Sequence, residues 1–302
     1  MPTADVSPLA SARAVVRALR PHQWAKNALV VLPAALAHEL GSPAVVADLA
    51  VAVVAMSLCA SGTYVVNDLT DRDRDRAHPT KRRRPFASAA LSRGAGVGLA
   101  VGLVGAAFAV SVWALPLGFT ATLATYLALT LAYSAGLKRV AVLDVLVLGA
   151  LYALRVVAGG AAVGVPLSEW FVVFSLFFFL GLGVLKRYAE VRQIAAGAAP
   201  ADNGRGYLAG DGPVLGALGV GCGLVAVLVL TLYVTAPEVR ALYGRPEILW
   251  VAVPVVLYWT ARAWLLAHRG RMPDDPVLFA VTDPTTYGLL ALVAGAVTVA
   301  AR

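Results

Sequence analysis

Three aspartates, Asp68, Asp71 and Asp75, stand at i, i+3 and i+7 in the stretch YVVNDLTDRDRDRAHPTKRRRPF, which runs from Tyr64 to Phe86. On a helix that spacing puts three carboxylates on one face, while Arg72, Asp73, Arg74 and Arg76 point mostly elsewhere. Asn67, one residue ahead, adds an amide oxygen. Carboxylates crowded in this way repel one another unless a cation sits between them. Mg²⁺ suits the position, because it is hard, takes oxygen ligands and is commonly shared between carboxylates and a substrate phosphate. Asn67, Asp68, Asp71 and Asp75 are therefore the expected metal ligands. Lys81, Arg82, Arg83 and Arg84 follow within a few residues, and cations beside a metal site point to a phosphorylated anion. The competing reading is a charged juxtamembrane loop whose acids and arginines pair only with each other.

Other chemistry-bearing groups are more scattered. Lys186 and Glu190 are spaced i, i+4 and Arg187 and Glu190 i, i+3, which suits a phosphate-binding cation pair steadied by one acid, or an interfacial anchor with an ion pair. Arg155 interrupts an apolar run, and an intramembrane arginine faces a polar cavity or a partner. Asp144, 11 residues earlier on roughly the same helical face, is the candidate neighbour. Gln23, Lys26 and Asn27 (i, i+3, i+4) fit a grip on a headgroup or phosphate, and equally a set of snorkelling anchors beside an interfacial Trp24. Asp283 either contacts a substrate hydroxyl or metal-bound water, or caps the last helix.

These groups need elements to hold them, and the composition says which. The 302 residues are 60% hydrophobic and 14% charged, where soluble domains carry about 25% charged residues. The chain reads as an all-α, polytopic membrane bundle. Runs of about 20 apolar residues predict nine transmembrane helices near 27–40, 44–66, 94–114, 117–136, 140–163, 169–185, 213–236, 247–267 and 284–301. Of the 25 Lys and Arg residues, 21 then fall in the N-terminal segment and alternate loops, which puts the N-terminus in the cytoplasm and the C-terminus outside. The expected organisation is a cytoplasmic segment, 1–26, and one nine-helix transmembrane catalytic domain, 27–302. Its motif loops, 67–93, 186–211 and 268–283, share the cytoplasmic side, so an active-site cavity there faces the cytosol from the plasma membrane.

Several classes drop out. Cys59 and Cys222 lie in apolar runs and read as small buried hydrophobes. There is no HExxH, Walker A or GxSxG pattern. The net charge of +8 sits in membrane loops with no basic-aromatic patch, so no nucleic-acid partner is expected. The N-terminus lacks the apolar core of a cleaved signal peptide. A lipid transporter is the non-enzyme alternative, but it would want polar residues on both sides, and the outer loops are nearly uncharged. The sequence is compatible with a homo-oligomer.

The motifs RPHQWAKN (20–27), YVVNDLTDRDRDRAHPTKRRRP (64–85), YSAGLKR (133–139), YALRVVAGG (152–160) and KRYAEV (186–191) together resemble the UbiA superfamily of intramembrane prenyltransferases. Within it they resemble the branch of decaprenyl-phosphate phosphoribosyltransferases, which serve cell-wall arabinan (arabinogalactan) precursor synthesis. Quinone-pathway members carry a second acidic motif, DxxxD, where this chain has Lys186-Arg187-Tyr188-Ala189-Glu190. The resemblance implies a Mg²⁺-dependent transfer of 5-phosphoribose from phosphoribosyl pyrophosphate (PRPP) to a polyprenyl phosphate, with pyrophosphate released. It implies a catalytic set of Asp68, Asp71, Asp75, Lys186 and Glu190. Substrate binding would fall to Lys26, Asn27, Asn67, Lys81, Arg82, Arg84, Arg155, Lys186, Arg187 and Tyr188. The alternative enzyme is a UbiA-type prenyltransferase that moves a prenyl group from a prenyl diphosphate to an aromatic acceptor.

Overall fold

A computed structural model describes residues 8–77, 81–197, 204–273, 276–280 and 282–302, leaving aside the side chains of 8–11, 277 and 278. Every regular element among the described residues is helical. Seven helices are long and apolar enough to cross a membrane: Pro43–Thr70, Arg93–Ala114, Leu117–Ala135, Leu143–Val163, Glu169–Ala195, Ala209–Thr235 and Pro246–His268. They coincide with seven of the nine predicted spans. The last predicted span is the apolar helix Pro284–Ala300, shorter at 17 residues.

The first predicted span has a different local structure from the others. Pro21–Val31 is a 3₁₀ helix of 11 residues that leads into the short α-helix Leu32–Leu36. A 3₁₀ helix rises about 2.0 Å per residue against about 1.5 Å in an α-helix, so this segment covers more distance per residue than its length suggests. It also turns in threes. Trp24, Asn27 and Val30 therefore share a face, instead of the Gln23, Lys26 and Asn27 set that α-helical spacing predicted.

The chain forms two compact units. The first comprises Met1–Leu32, Leu40–Gly136 and Ala158–Gly164. Its central helix, Pro43–Thr70, starts with Ser42 accepting from the Val45 amide and proline at the first position, a combination that satisfies an orphan N–H and removes another. Small buried residues along it, among them Ala52, Ala55, Cys59, Ala60 and Gly62, let the Arg93–Ala114 helix approach closely. The 3₁₀ segment is stapled to the same helix. Trp24 Nε1 donates to Ser61 Oγ and Asn27 Nδ2 to Ser57 Oγ, each at 2.9 Å. Three 3₁₀ residues and four α-helical residues both rise about 6 Å, so the two spacings match with the strands of the staple antiparallel. Gly159 faces the same segment, where a Cβ would lie 2.0 Å from the Val30 carbonyl oxygen.

The second unit comprises Pro33–Glu39, Leu137–Val157 and Val165–Arg302. Glu169–Ala195 and Gly212–Thr235 pair along their length. Their seam includes Leu180, Val184, Val191, Leu215 and Cys222, joined by Val145 and Tyr207. A run of rings, Phe171, Phe174, Phe178, Phe179 and Trp259, packs one stretch of this unit in stacked and edge-on contacts. Cys59 and Cys222 are free, buried thiols, as their apolar surroundings predicted.

Candidate active site

The acidic stretch of the first unit is held by backbone continuity and a returning loop. The Pro43–Thr70 helix ends at Asp71, and a six-residue helix, Arg72–Ala77, follows. The Asp71 amide still donates to the Asn67 carbonyl at 2.9 Å and the Asp75 amide to the Asp71 carbonyl at 2.8 Å. The i→i−4 pattern thus runs through the break and keeps Asp68 and Asp75 on one face. The arginines between them do separate work. Arg72 Nε donates to the Phe86 carbonyl and Arg76 Nε to the Ala87 carbonyl, each at 3.1 Å. Phe86 itself is buried with Ala18, Val65 and Ala100. The loop is thereby drawn back, and Arg84 reaches the acids.

At the centre, Arg84 Nη1 donates to Asp68 Oδ1 at 3.2 Å and to Asp75 Oδ2 at 2.7 Å, while Arg20 Nη2 donates to Asp68 Oδ1 at 2.5 Å. Asp68 and Asp75 are buried; the two arginine side chains are 20% and 27% exposed. Arg17, Arg20, His22, Asp68, Lys81, Arg83, Arg84 and Pro85 line a cleft of ≈470 Å³. Five of the eight are Lys or Arg, so the cleft favours a multiply charged anion.

The structure brings Asp68, Asp75, Lys81 and Arg84 of the predicted site to this cleft or its wall. Asp71 is half-buried at the break, and Asn67 Oδ1 accepts from Ser134 Oγ at 3.4 Å. Arg82 is exposed and is not among the cleft-lining residues. Asn27 is buried against Ser57 in the staple, and Lys26 is half-buried beside it. Arg83, part of the cationic run after the acids but not of the expected substrate-binding set, also lines the cleft; Arg17, Arg20 and His22 are the lining residues the sequence reading lacks, although Arg17 and Arg20 at i, i+3 before Pro21 carry a face signal of their own.

The residues fit a hard divalent cation in part. One nitrogen, Arg84 Nη1, already serves both Asp68 and Asp75, so a single cationic atom can sit between these two carboxylates. Their donors are all oxygen, the kind Mg²⁺ takes, and Mg²⁺ is usually held by one or two carboxylates together with substrate phosphate. Among the described residues, no group of three or more His, Cys, Asp or Glu side chains is gathered closely enough to hold a metal by itself.

The second unit holds its own acid–base cluster. Arg187 Nε donates to Asp144 Oδ2 at 2.6 Å and Arg187 Nη1 to Glu190 Oε2 at 2.5 Å. Tyr207 Oη donates to Asp144 Oδ1 at 2.5 Å and accepts from the Val142 amide at 2.9 Å. Burial, then the bond to Asp144, pushes the Tyr207 phenol well above its usual range, so it remains a donor. Val142 has φ +69°, a strained value for a β-branched residue. Gly206, at φ +74°, passes so close to residue 139 that a Cβ would meet the Arg139 carbonyl oxygen at 2.7 Å. Asp144 was expected to neighbour Arg155; its contacts are instead with Arg187 and Tyr207. Eleven residues of α-helix rise about 16 Å, so the two can share a face but do not pair directly. Arg155, also buried, donates to the Leu151 carbonyl at 2.6 Å and lies 5.3 Å from the Tyr152 ring centroid. Tyr188 Oη meets His268 Nδ1 at 3.1 Å, and Lys186 is half-buried.

Asp283 takes the capping role. It accepts from the Thr286 amide at 2.9 Å and forms a two-pronged pair with Arg262 at 2.8 and 2.9 Å. The Arg262 bonds hold its carboxyl below the usual aspartate range.

Residues 27–282 match the UbiA prenyltransferase family. The chain belongs to that family and is a multi-pass membrane protein. It is similar to the protein y4nM of Sinorhizobium fredii, whose function is uncharacterized, at 39% identity over 92% of this chain and 54% of that protein. It is also 37% identical to the nodulation protein NoeC of Azorhizobium caulinodans, over 88% of this chain and 86% of that one. A decaprenyl-phosphate phosphoribosyltransferase of Mycolicibacterium smegmatis is 41% identical over 59% of this chain and 57% of its own length. The chain therefore spans little more than half of the first and third of these relatives. A UbiA homolog from Archaeoglobus fulgidus, solved bound to GPP and Mg²⁺, shares the fold with a TM-score of 0.69, at 16% identity, over 95% of this chain and 99% of that one.

Proposed function

We propose that the protein is a Mg²⁺-dependent pentosyltransferase that moves 5-phosphoribose from PRPP to a polyprenyl phosphate such as decaprenyl phosphate. The observation that carries this reading is the cleft in which five Lys and Arg side chains stand beside Asp68. PRPP presents a diphosphate and a separate 5-phosphate, whereas a prenyl diphosphate presents only the diphosphate. A cleft this rich in cations suits the donor with more phosphate. The phosphoribosyltransferase relative at 41% identity supports the same choice. The distribution of basic residues supports a site facing the cytoplasm, where PRPP is soluble.

Asp68 and Asp75 would hold Mg²⁺ against the donor diphosphate, where the ion neutralises charge that builds on the leaving group. The chain's own cations do the rest. Arg17, Arg20, Lys81, Arg83 and Arg84 orient the phosphates and screen them from water. The bond from C1 of the ribose to the diphosphate oxygen breaks as the ring gains oxocarbenium character, a lipid phosphate oxygen forms the new bond to C1, and pyrophosphate leaves with the electron pair. The attacking oxygen is already anionic at neutral pH and needs no general base. Positioning and charge stabilisation therefore carry the rate.

A second reading is favoured by the Archaeoglobus structure with GPP and Mg²⁺: prenyl transfer from a prenyl diphosphate to an aromatic acceptor. The full chain, purified in lipid nanodiscs, separates the two. PRPP with decaprenyl phosphate and Mg²⁺ should yield pyrophosphate and a phosphoribosylated lipid, and EDTA should abolish the yield. Turnover of prenyl diphosphate with an aromatic acid, and none of PRPP, would replace the first reading by the second.

A further inference from the structure

We propose that Arg20 and Arg84 are exchangeable counter-ions of Asp68. They neutralise the buried carboxylates in the ion-paired arrangement, and they turn to the donor's phosphates when a divalent cation takes Asp68 and Asp75. Cation and donor then bind cooperatively. The inference rests on reading the cleft as the donor site.

The geometry sets up a competition. Asp68 Oδ1 is the acceptor for both guanidinium groups, and Arg84 Nη1 is shared with Asp75 Oδ2. Mg²⁺ binds carboxylate oxygens at about 2.0–2.1 Å, so an ion shared by the two carboxylates competes with Arg84 Nη1, which now bridges them. The charges balance as drawn: Asp68 and Asp75 are offset by Arg20 and Arg84. A divalent cation on the two carboxylates displaces two positive charges, which can then offset part of the charge of a bound diphosphate. Metal alone therefore leaves two cations unpartnered, and diphosphate alone must pull them from their acids. Only the two together leave both the carboxylates and the two arginines with opposite charge beside them.

Burial decides which groups move. The Asp68 side chain is 2% exposed and fixed, while the arginine side chains are 20% and 27% exposed and already line the cleft. Arg20 has φ 51° and ψ 57° directly before Pro21, a backbone state that a long side chain rarely adopts. Such strain persists where the surroundings fix it, commonly at ligand clamps. Sealed pairs would not behave in this way.

The test measures binding of Mn²⁺ by electron paramagnetic resonance, with and without inorganic pyrophosphate, on the full chain in nanodiscs. Binding of Mn²⁺ to pyrophosphate in buffer is subtracted. In the wild type, pyrophosphate should tighten Mn²⁺ by about tenfold or more, within the usual range of coupling between sites. Arg20→Gln and Arg84→Gln should each bind Mn²⁺ alone more tightly and lose most of the pyrophosphate effect. Arg93→Gln, exposed and outside the cleft, should match the wild type. Mn²⁺ affinity that falls or holds in both variants, or coupling retained in both, would overturn the proposal. So would failure of both to fold, because the pairs would then be structural. Intact coupling without PRPP turnover would sink the donor assignment alone; lost coupling with PRPP turnover intact would sink only the exchange.

Discussion

Asp68 and Asp144 are both buried aspartates that hold arginine, yet they sit in contrasting settings. Around Asp68 the arginines are part-exposed and line a cleft. Around Asp144 the central pair is sealed: its own side chain is fully buried, Arg187 is 2% exposed, and Tyr207 fills the remaining acceptor, while Glu190, the second acid on Arg187, is 29% exposed. A charge pair whose cation can reach solvent can trade partners at modest cost. A pair taken wholly out of water can do neither, and each half depends on the other. On the proposed reading, the difference separates a pair free to exchange partners from a pair held in place, although both drew attention in the sequence for the same reason.

The comparison breaks most readily at Asp144. Asp144→Ala removes the fully buried partner of Arg187, leaving that guanidinium only Glu190, and removes the acceptor of Tyr207. A loss of about 3–5 kcal/mol in stability is expected, read as a large fall in the thermal midpoint of the nanodisc-bound protein. Little change in that midpoint would make the sealed cluster as exchangeable as the open one. Asp68→Asn should do the reverse. Turnover should fall by roughly 10²–10³, as when one electrostatic stabiliser is lost, while the midpoint moves by about 1 kcal/mol or less because Arg20 and Arg84 can turn to water. Intact metal-dependent turnover in Asp68→Asn would remove Asp68 from the chemistry.

How much of this the sequence revealed depended on the kind of pattern involved. Apolar runs gave seven spans because a bilayer demands length and little else. The pairing of Asp68 and Asp75 was legible because i, i+7 survives the break at Asp71. The 3₁₀ segment was not, because periodicity arguments assume 3.6 residues per turn, and only the contacts of Trp24 and Asn27 with Ser61 and Ser57 reveal a turn of three. Asp144 and Arg187 are 43 residues apart, and no local spacing predicts a partner at that range. Tyr207 lies between helices, where no period exists to mark it.

Tyr207→Phe sharpens the contrast at a finer level. It keeps the ring, removes one hydrogen bond to a buried carboxylate and leaves the Val142 amide without its acceptor. A cost of about 1.5–3 kcal/mol is expected, the usual worth of a bond to a charged group. The same thermal midpoint reads it. Metal and pyrophosphate binding at the cleft should not change, and a parallel loss of both would tie the two clusters together energetically.

The smallest effect belongs to a third aspartate–arginine pair, which fixes the scale for the other two. Asp283 holds Arg262, their side chains 11% and 23% exposed, and caps Pro284–Ala300. Asn caps nearly as well as Asp, so Asp283→Asn removes the charge and little else. With the cap kept and both side chains within reach of solvent, the charge pair contributes on the order of 1 kcal/mol. The folded carboxyl titrates below its ordinary value of 3.8 because of Arg262. Its contribution is therefore complete above the unfolded pKa and is lost as pH falls through the lower folded one. The midpoint difference between wild type and Asp283→Asn should stay constant from neutral pH down to about pH 5 and close only below about pH 4. A difference that instead closed near pH 6 would mean the carboxyl titrates high, as a desolvated group does, and would move Asp283 from the part-exposed class of pair to the sealed one.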